Sequence, residues 1–178
     1  DWNEERLPIW CSGITDRDPL PDVEKDDEGK IVKKEEKYPV KGEKIVGGNA
    51  AIDLADDINS TQRARLYVAP LKTFEYDLAM SGNISIMAEV LEEKWPKDGG
   101  EKGVKNQCKQ IINKNNVYID KEEMREDAKF IYKHVDCDEV GKGIFSQALL
   151  EKIEEKNILV VPEYIKKAII WACGGDCD

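Results

Sequence analysis

Asp16-Arg17-Asp18 directly follows the run Ile9-Trp10-Cys11-Ser12-Gly13-Ile14-Thr15. A mostly apolar run of that length predicts a buried strand. The two carboxylates then stand at its carboxyl end, where open α/β sheets place their ligands. In an extended segment residues i and i+2 point the same way, so Asp16 and Asp18 could face one divalent cation. Mg²⁺ is commonly held by one or two protein carboxylates plus substrate phosphates, which makes the pair a candidate Mg²⁺ site. A plainer reading stands beside it. Thr15-Asp16-Arg17-Asp18-Pro19 is also good turn chemistry, and a loop acid is usually only solvated.

Two further residues belong to the same chemistry. Glu75 lies in the first turn of a predicted helix that follows a predicted strand at 65–69, and Lys142 stands between two glycines at a predicted helix start. Phosphodiester cleavage needs these types: carboxylates for the metal, a metal to activate water, and a cation to stabilise the charge that develops at phosphorus. Glycines beside Lys142 let the backbone approach a phosphate closely, and a helix start adds amide donors. Gly141-Lys142-Gly143 is not a Walker A loop, which has a different glycine spacing and a Ser or Thr after the Lys. Its alternative is a flexible turn, and for Glu75 the alternative is an acid favoured by the helix dipole.

The elements that must carry these residues alternate between strands and helices, which predicts an α/β fold. The polar, mixed-charge stretch after the acidic pair reads as an exposed loop over 19–48, with a short hairpin around Glu28-Gly29. A short helix is expected near 49–59, from Ala51, Ile52, Ala55 and Ile58. Thr73 can cap the Glu75 helix and Gly82 breaks it; Asn83 can cap the next one, which Pro96 ends. Residues 97–138 read as a helical insertion, with Asp120 and Glu123 forming a capping box. Helices follow from Lys142 and from Pro162, with a short apolar stretch at 158–161 suggesting a strand between them.

Composition narrows the partners. The chain has 178 residues, 40% apolar and 36% charged, with a net charge of −10. That excludes a free-standing basic nucleic-acid module, so grip on DNA is expected from elsewhere in a larger protein. The first residue is Asp1, and the chain is expected to start inside such a protein. No signal peptide or membrane-spanning segment is evident. The five cysteines match no zinc spacing, and reduced thiols in a cytoplasmic protein fit better. Asp136-Cys137-Asp138 and Asp176-Cys177-Asp178 repeat the Asp-x-Asp spacing without a preceding strand and read as solvated loop acids. His134, the only histidine, reads as packed or on the surface, which leaves no Ser-His-Asp or Cys-His arrangement.

Four segments in order carry a resemblance. They are Thr15-Asp16-Arg17-Asp18-Pro19, then Lys72-Thr73-Phe74-Glu75-Tyr76-Asp77-Leu78-Ala79 with Gly82-Asn83, then Gly141-Lys142-Gly143-Ile144-Phe145-Ser146-Gln147, then Pro162-Glu163-Tyr164-Ile165-Lys166-Lys167-Ala168-Ile169. Together they resemble the C-terminal part of the TOPRIM domain of OLD-family (overcoming lysogenization defect) ATP-dependent endonucleases. The resemblance implies a Rossmann-like, mainly parallel sheet with flanking helices. It also implies a parent chain that joins an ABC-type ATPase to the nuclease, as in family members that act in phage defence. By the same resemblance Asp16 and Asp18 would be ligands of Mg²⁺ or Mn²⁺, Lys142 would contact the scissile phosphate, and Glu75 is a candidate further ligand.

The family's first motif, a strand followed by a catalytic Glu, is missing from this sequence, and so are Walker motifs. ATP would therefore act only through an ATPase domain outside these residues, and the fragment alone is expected to be weak or inactive. The expected division is a partial TOPRIM core over 1–96, the helical insertion over 97–138, and the TOPRIM C-terminal part over 139–178. The implied partners are DNA, the ATPase domain and a possible second copy. Two other functions compete. Haloacid-dehalogenase-like phosphohydrolases also place Asp-x-Asp after a buried strand, with the first Asp as nucleophile. They usually carry Thr or Val where Leu20 stands, and they have no place for the Glu75 and Pro162 segments. A non-catalytic TOPRIM assembly module is the other.

Overall fold

The computed structural model describes residues 9–97 and 99–174. The apolar run before the acidic pair forms β1 (Cys11–Thr15), which pairs in parallel with β4 (Ala64–Val68), Cys11 opposite Ala64 and Thr15 opposite Val68. It is not the buried strand expected: Cys11, Gly13 and Ile14 are exposed, because the described sheet around it has two strands and leaves much of it uncovered. Between them the charged stretch folds as an antiparallel hairpin of β2 (Asp22–Lys25) and β3 (Ile31–Glu35). Its turn uses the Asp26 carboxylate, which accepts the N–H groups of Glu28 and Lys30, and Gly29 at φ 78°. The helix expected near 49–59 is broken. A 3₁₀ turn at Ala50–Ile52 is followed by the short α1 (Ala55–Asn59).

Among the described residues six further α-helices follow: α2 (Phe74–Leu78), α3 (Ile84–Lys94), α4 (Val104–Lys114), α5 (Lys121–Val135), α6 (Lys142–Lys156) and α7 (Glu163–Ala172). The chain is thus a mixed α/β protein with a small parallel sheet. Among the described residues no helix is long and apolar enough to cross a membrane. Cys11, Cys108, Cys137 and Cys173 are free thiols; Cys177, like Asp176 and Asp178, lies outside the described residues.

Two compact units divide the chain. The first comprises Asp1–Lys37, Lys44–Phe74 and Pro162–Asp178, the second Tyr38–Glu43 and Glu75–Val161. In the first unit α7 packs on β1 and β4, and α1 packs on β4. Trp171 of α7 meets Trp10 edge-on at 4.6 Å, and the Arg65 guanidinium lies 4.0 Å over the Trp171 ring. Such contacts join a flat apolar surface to a cation without desolvating the charge fully.

The second unit is helical and holds most of the buried apolar side chains, among them Ile84, Met87, Leu91, Ile131, Val135 and Phe145. The helices expected within 97–138 are α4 and α5, and both belong to this unit. At the start of α5 the Asp120 carboxylate accepts the Glu123 N–H at 2.8 Å, so the capping-box expectation holds for that half. The Glu123 carboxylate reaches instead toward the Ile119 N–H, at 3.4 Å. The stretch 19–48 is not exposed throughout as expected: Tyr38 and Val40 are buried, because the segment Tyr38–Glu43 is fastened to these helices. The Tyr76 hydroxyl donates to the Pro39 carbonyl at 3.2 Å, Lys121 donates to the Lys41 carbonyl at 2.9 Å, and Arg125 pairs with Glu43. Burial pushes the Tyr76 phenol well above its ordinary pKa, so it remains a donor.

Two local expectations change for one reason. Asn83 does not cap α3, and residues 158–161 form no strand. Asn83 is buried, and its side chain is spent elsewhere: Nδ2 donates to the Leu78 and Val160 carbonyls, each at 2.8 Å, and Oδ1 accepts the Val160 N–H at 2.9 Å. One side-chain amide thereby occupies both backbone groups of Val160, as a neighbouring strand would. Asn83→Ala is expected to lower stability by about 1–3 kcal/mol, because buried polar groups lose their partners. The check is a lower urea midpoint at unchanged slope; an unchanged midpoint would count against this bridge.

Candidate functional site

Asp16 and Asp18 lie just past the carboxyl end of β1, where the backbone stops being extended. Asp18 takes a left-handed conformation, φ 48°, so the alternation that aligns i and i+2 along a strand does not apply to the pair. A backbone clamp replaces it. Arg17 and Asp18 donate their N–H groups to the Lys72 carbonyl, at 2.7 and 3.2 Å. The Arg17 Nε donates to the Ala69 carbonyl at 3.0 Å. Asp16 is half-buried and uses Oδ1 to accept the Phe74 N–H, at 2.9 Å. A carboxylate at the first N–H of α2 is favoured by the unpaired donors there.

Asn49 holds the loop from the other side. Its Nδ2 donates to the Asp16 carbonyl at 2.9 Å and to Thr15 Oγ1 at 3.1 Å, while its N–H donates to the Arg17 carbonyl at 2.8 Å. Gly48 makes this approach feasible: a Cβ there would stand 2.7 Å from the Arg17 carbonyl oxygen. Gly48→Ala is therefore expected to displace the acidic loop, with a loss of roughly 1–3 kcal/mol from overpacking. Thermal unfolding of the variant checks it; an unchanged midpoint would show that the loop yields freely. Reading the sequence did not single out Asn49 or Gly48. The available signal was Gly47-Gly48-Asn49, a cluster suited to close backbone contact.

Glu75 and Lys142 are brought together in the second unit. Lys142 opens α6 after Gly141, whose φ of 75° suits glycine. Its Nζ lies 3.1 Å from Glu75 Oε1 and 3.2 Å from Asp136 Oδ1. Partial burial works against the charge, but hydrogen bonds to Glu75 and Asp136 outweigh it and raise the Lys142 pKa above the ordinary lysine value. Lys142 is a firm cation in the neutral range. Asp136, expected to be a solvated loop acid, is instead its second partner. The signal in the sequence was its position shortly before Gly141-Lys142-Gly143. His134 is packed, with Nδ1 2.7 Å from the Phe130 carbonyl and its ring against Phe130 and Trp95.

The donor chemistry can be set against a hard cation. Asp16 and Asp18 offer carboxylate oxygens, the type Mg²⁺ takes, and one or two such ligands suffice when phosphate and water complete the shell. Among the described residues no three His, Cys, Asp or Glu side chains form a ready metal cage. Comparison with family models, with curated proteins and with solved structures finds no match.

Proposed function

We propose that this α/β chain is part of a metal-dependent DNA endonuclease of the TOPRIM type, acting by two-metal phosphodiester hydrolysis. The observation that carries the reading is the Glu75–Lys142 contact at 3.1 Å. These residues come from different motifs of the resemblance, far apart in sequence, and their meeting is what a shared phosphate chemistry requires. Asp16, clamped at the end of a parallel strand, is in keeping with it.

In this reading Asp16 and Asp18 hold Mg²⁺ or Mn²⁺. Such a metal would supply activation of a water and neutralisation of charge on a phosphate. Lys142 supplies a fixed cation for the phosphate oxygens, and Glu75 and Asp136 orient it. Within the second unit Glu75 pairs with Lys142 through Oε1, and its second carboxylate oxygen is a further acceptor. In this reading ATP would act through an ATPase domain of the parent chain. Supercoiled plasmid incubated with the full parent chain tests the proposal. Nicking with Mg²⁺ or Mn²⁺ and none with chelator is expected; nicking that survives chelation would refute the metal role.

A further inference from the structure

Arg17 stands between the two acids of the candidate site, and both its backbone and its side chain are held. Its N–H donates to the Lys72 carbonyl at 2.7 Å, and its carbonyl accepts the Asn49 N–H at 2.8 Å. Nε donates to the Ala69 carbonyl at 3.0 Å, and Cγ runs past Gly48, 3.7 Å from where a Cβ would stand. Ala69 directly follows β4, and its own N–H donates to the Thr15 carbonyl, the last of β1, at 2.8 Å. The half-buried Arg17 side chain is therefore fixed at the carboxyl ends of both parallel strands, where open α/β sheets bind their ligands. All of these residues belong to the first unit.

The far end of this fixed side chain is open. Among the described residues neither terminal nitrogen of Arg17 has a hydrogen bond or an ion pair. Carboxylates are not scarce, since the chain has 37 acidic residues against 27 basic ones and two acids flank Arg17 itself. The other described arginines differ. Arg65 donates to the Thr61 and Ala64 carbonyls and covers Trp171, and Arg125 pairs with Glu122 and Glu43. Arg63 has no ion pair among the described residues either, but it precedes β4, at the amino end of the sheet, and no hydrogen bond fixes its side chain. A guanidinium anchored through Nε keeps its terminal N–H groups side by side in one plane. That fork matches two oxygens of a phosphate, and a fork already in place loses less freedom on binding.

We infer that Arg17 is a phosphate-binding residue, whose two terminal nitrogens take the non-bridging oxygens of a DNA phosphate beside the Asp16–Asp18 loop. The ligand class, a phosphate oxyanion, comes from the shape and charge of the fork. The choice of a phosphodiester rests on the nuclease reading.

The test is anisotropy of a fluorescein-labelled duplex bound by the full parent chain. Ca²⁺ replaces Mg²⁺, to neutralise the flanking acids in a looser coordination geometry. Arg17→Gln is expected to weaken binding at least about tenfold, the loss of a hydrogen-bonded charge. It is also expected to flatten the fall of log affinity with log salt by about 0.9, the share of one phosphate. Arg17→Lys keeps the charge and loses the fork, so the slope is expected to stay while affinity falls by less. A residue that only buttressed the turn would lower the thermal midpoint of Arg17→Gln and leave the salt slope unmoved. Wild-type affinity and slope in folded Arg17→Gln would overturn the inference, as would undiminished affinity in folded Arg17→Lys. Inorganic phosphate distinguishes the source of the ligand. A thermal midpoint that phosphate raises in the wild type and not in Arg17→Gln, with duplex affinity indifferent to Arg17, would overturn DNA as the occupant in favour of a small phosphorylated molecule. Plasmid nicking with Mg²⁺ or Mn²⁺ separates the fork from the nuclease reading. Nicking whose KM ignores Arg17 removes the fork and leaves the nuclease; Arg17-dependent binding without nicking does the reverse.

Discussion

Lys142→Ala is expected to slow metal-dependent nicking of supercoiled plasmid by about 10²–10³-fold, the usual loss when a preorganised charge-stabilising group is deleted. The expectation follows from how the side chain is held. Glu75 and Asp136 fix the Lys142 Nζ at 3.1 and 3.2 Å, so its charge is positioned before any substrate arrives. A cation poised in this way acts on the charge that develops during the reaction, so turnover is expected to fall with little change in DNA affinity. Lys142→Arg separates charge from shape. It keeps the charge but replaces a compact ammonium with a planar fork, and partial activity is expected. Wild-type turnover in Lys142→Ala would remove Lys142 from the mechanism and leave its ion pairs as surface structure.

Asp16 has two roles that two substitutions can separate. Its Oδ1 accepts the Phe74 N–H, which is structural, and its charge is the proposed attraction for metal. Asp16→Asn keeps an oxygen acceptor and loses the charge. It is expected to unfold at nearly the wild-type temperature yet nick at least about a hundredfold more slowly. Asp16→Ala loses both, and a further loss of about 1 kcal/mol in stability is expected for the vacated helix start. Titration of Mn²⁺, followed by loss of the free-ion EPR signal, should show weaker binding by both variants. Full activity in Asp16→Asn would mean that the carboxylate serves only the fold.

Local pattern explains which parts of this structure could be read in advance. The extended run into β1, the Glu28-Gly29 turn and the Asp120 cap are each set by residues close in sequence, and each forms, although β1 is largely exposed where a buried strand was expected. Features set by distant partners were not legible. Asn83 has the composition of a cap, but Val160 captures its side chain, and both backbone groups of Val160 bond to it rather than to a strand. Likewise Asp136 reads as one more loop acid until the fold sets it beside Lys142. The acidic pair shows both sides. Its position at the end of a strand was plain, whereas the left-handed turn at Asp18 depends on the Lys72 carbonyl and Asn49, which only the folded chain supplies.

Plasmid nicking by the full parent chain in Mg²⁺ or Mn²⁺, run beside Asp16→Ala and Lys142→Ala, is the most direct measurement. The account predicts metal-dependent nicking by the wild type and its loss in both variants. A folded wild type that leaves the plasmid intact under either metal would contradict it, and a phospho-enzyme trapped on Asp16 would point to phosphohydrolase chemistry instead.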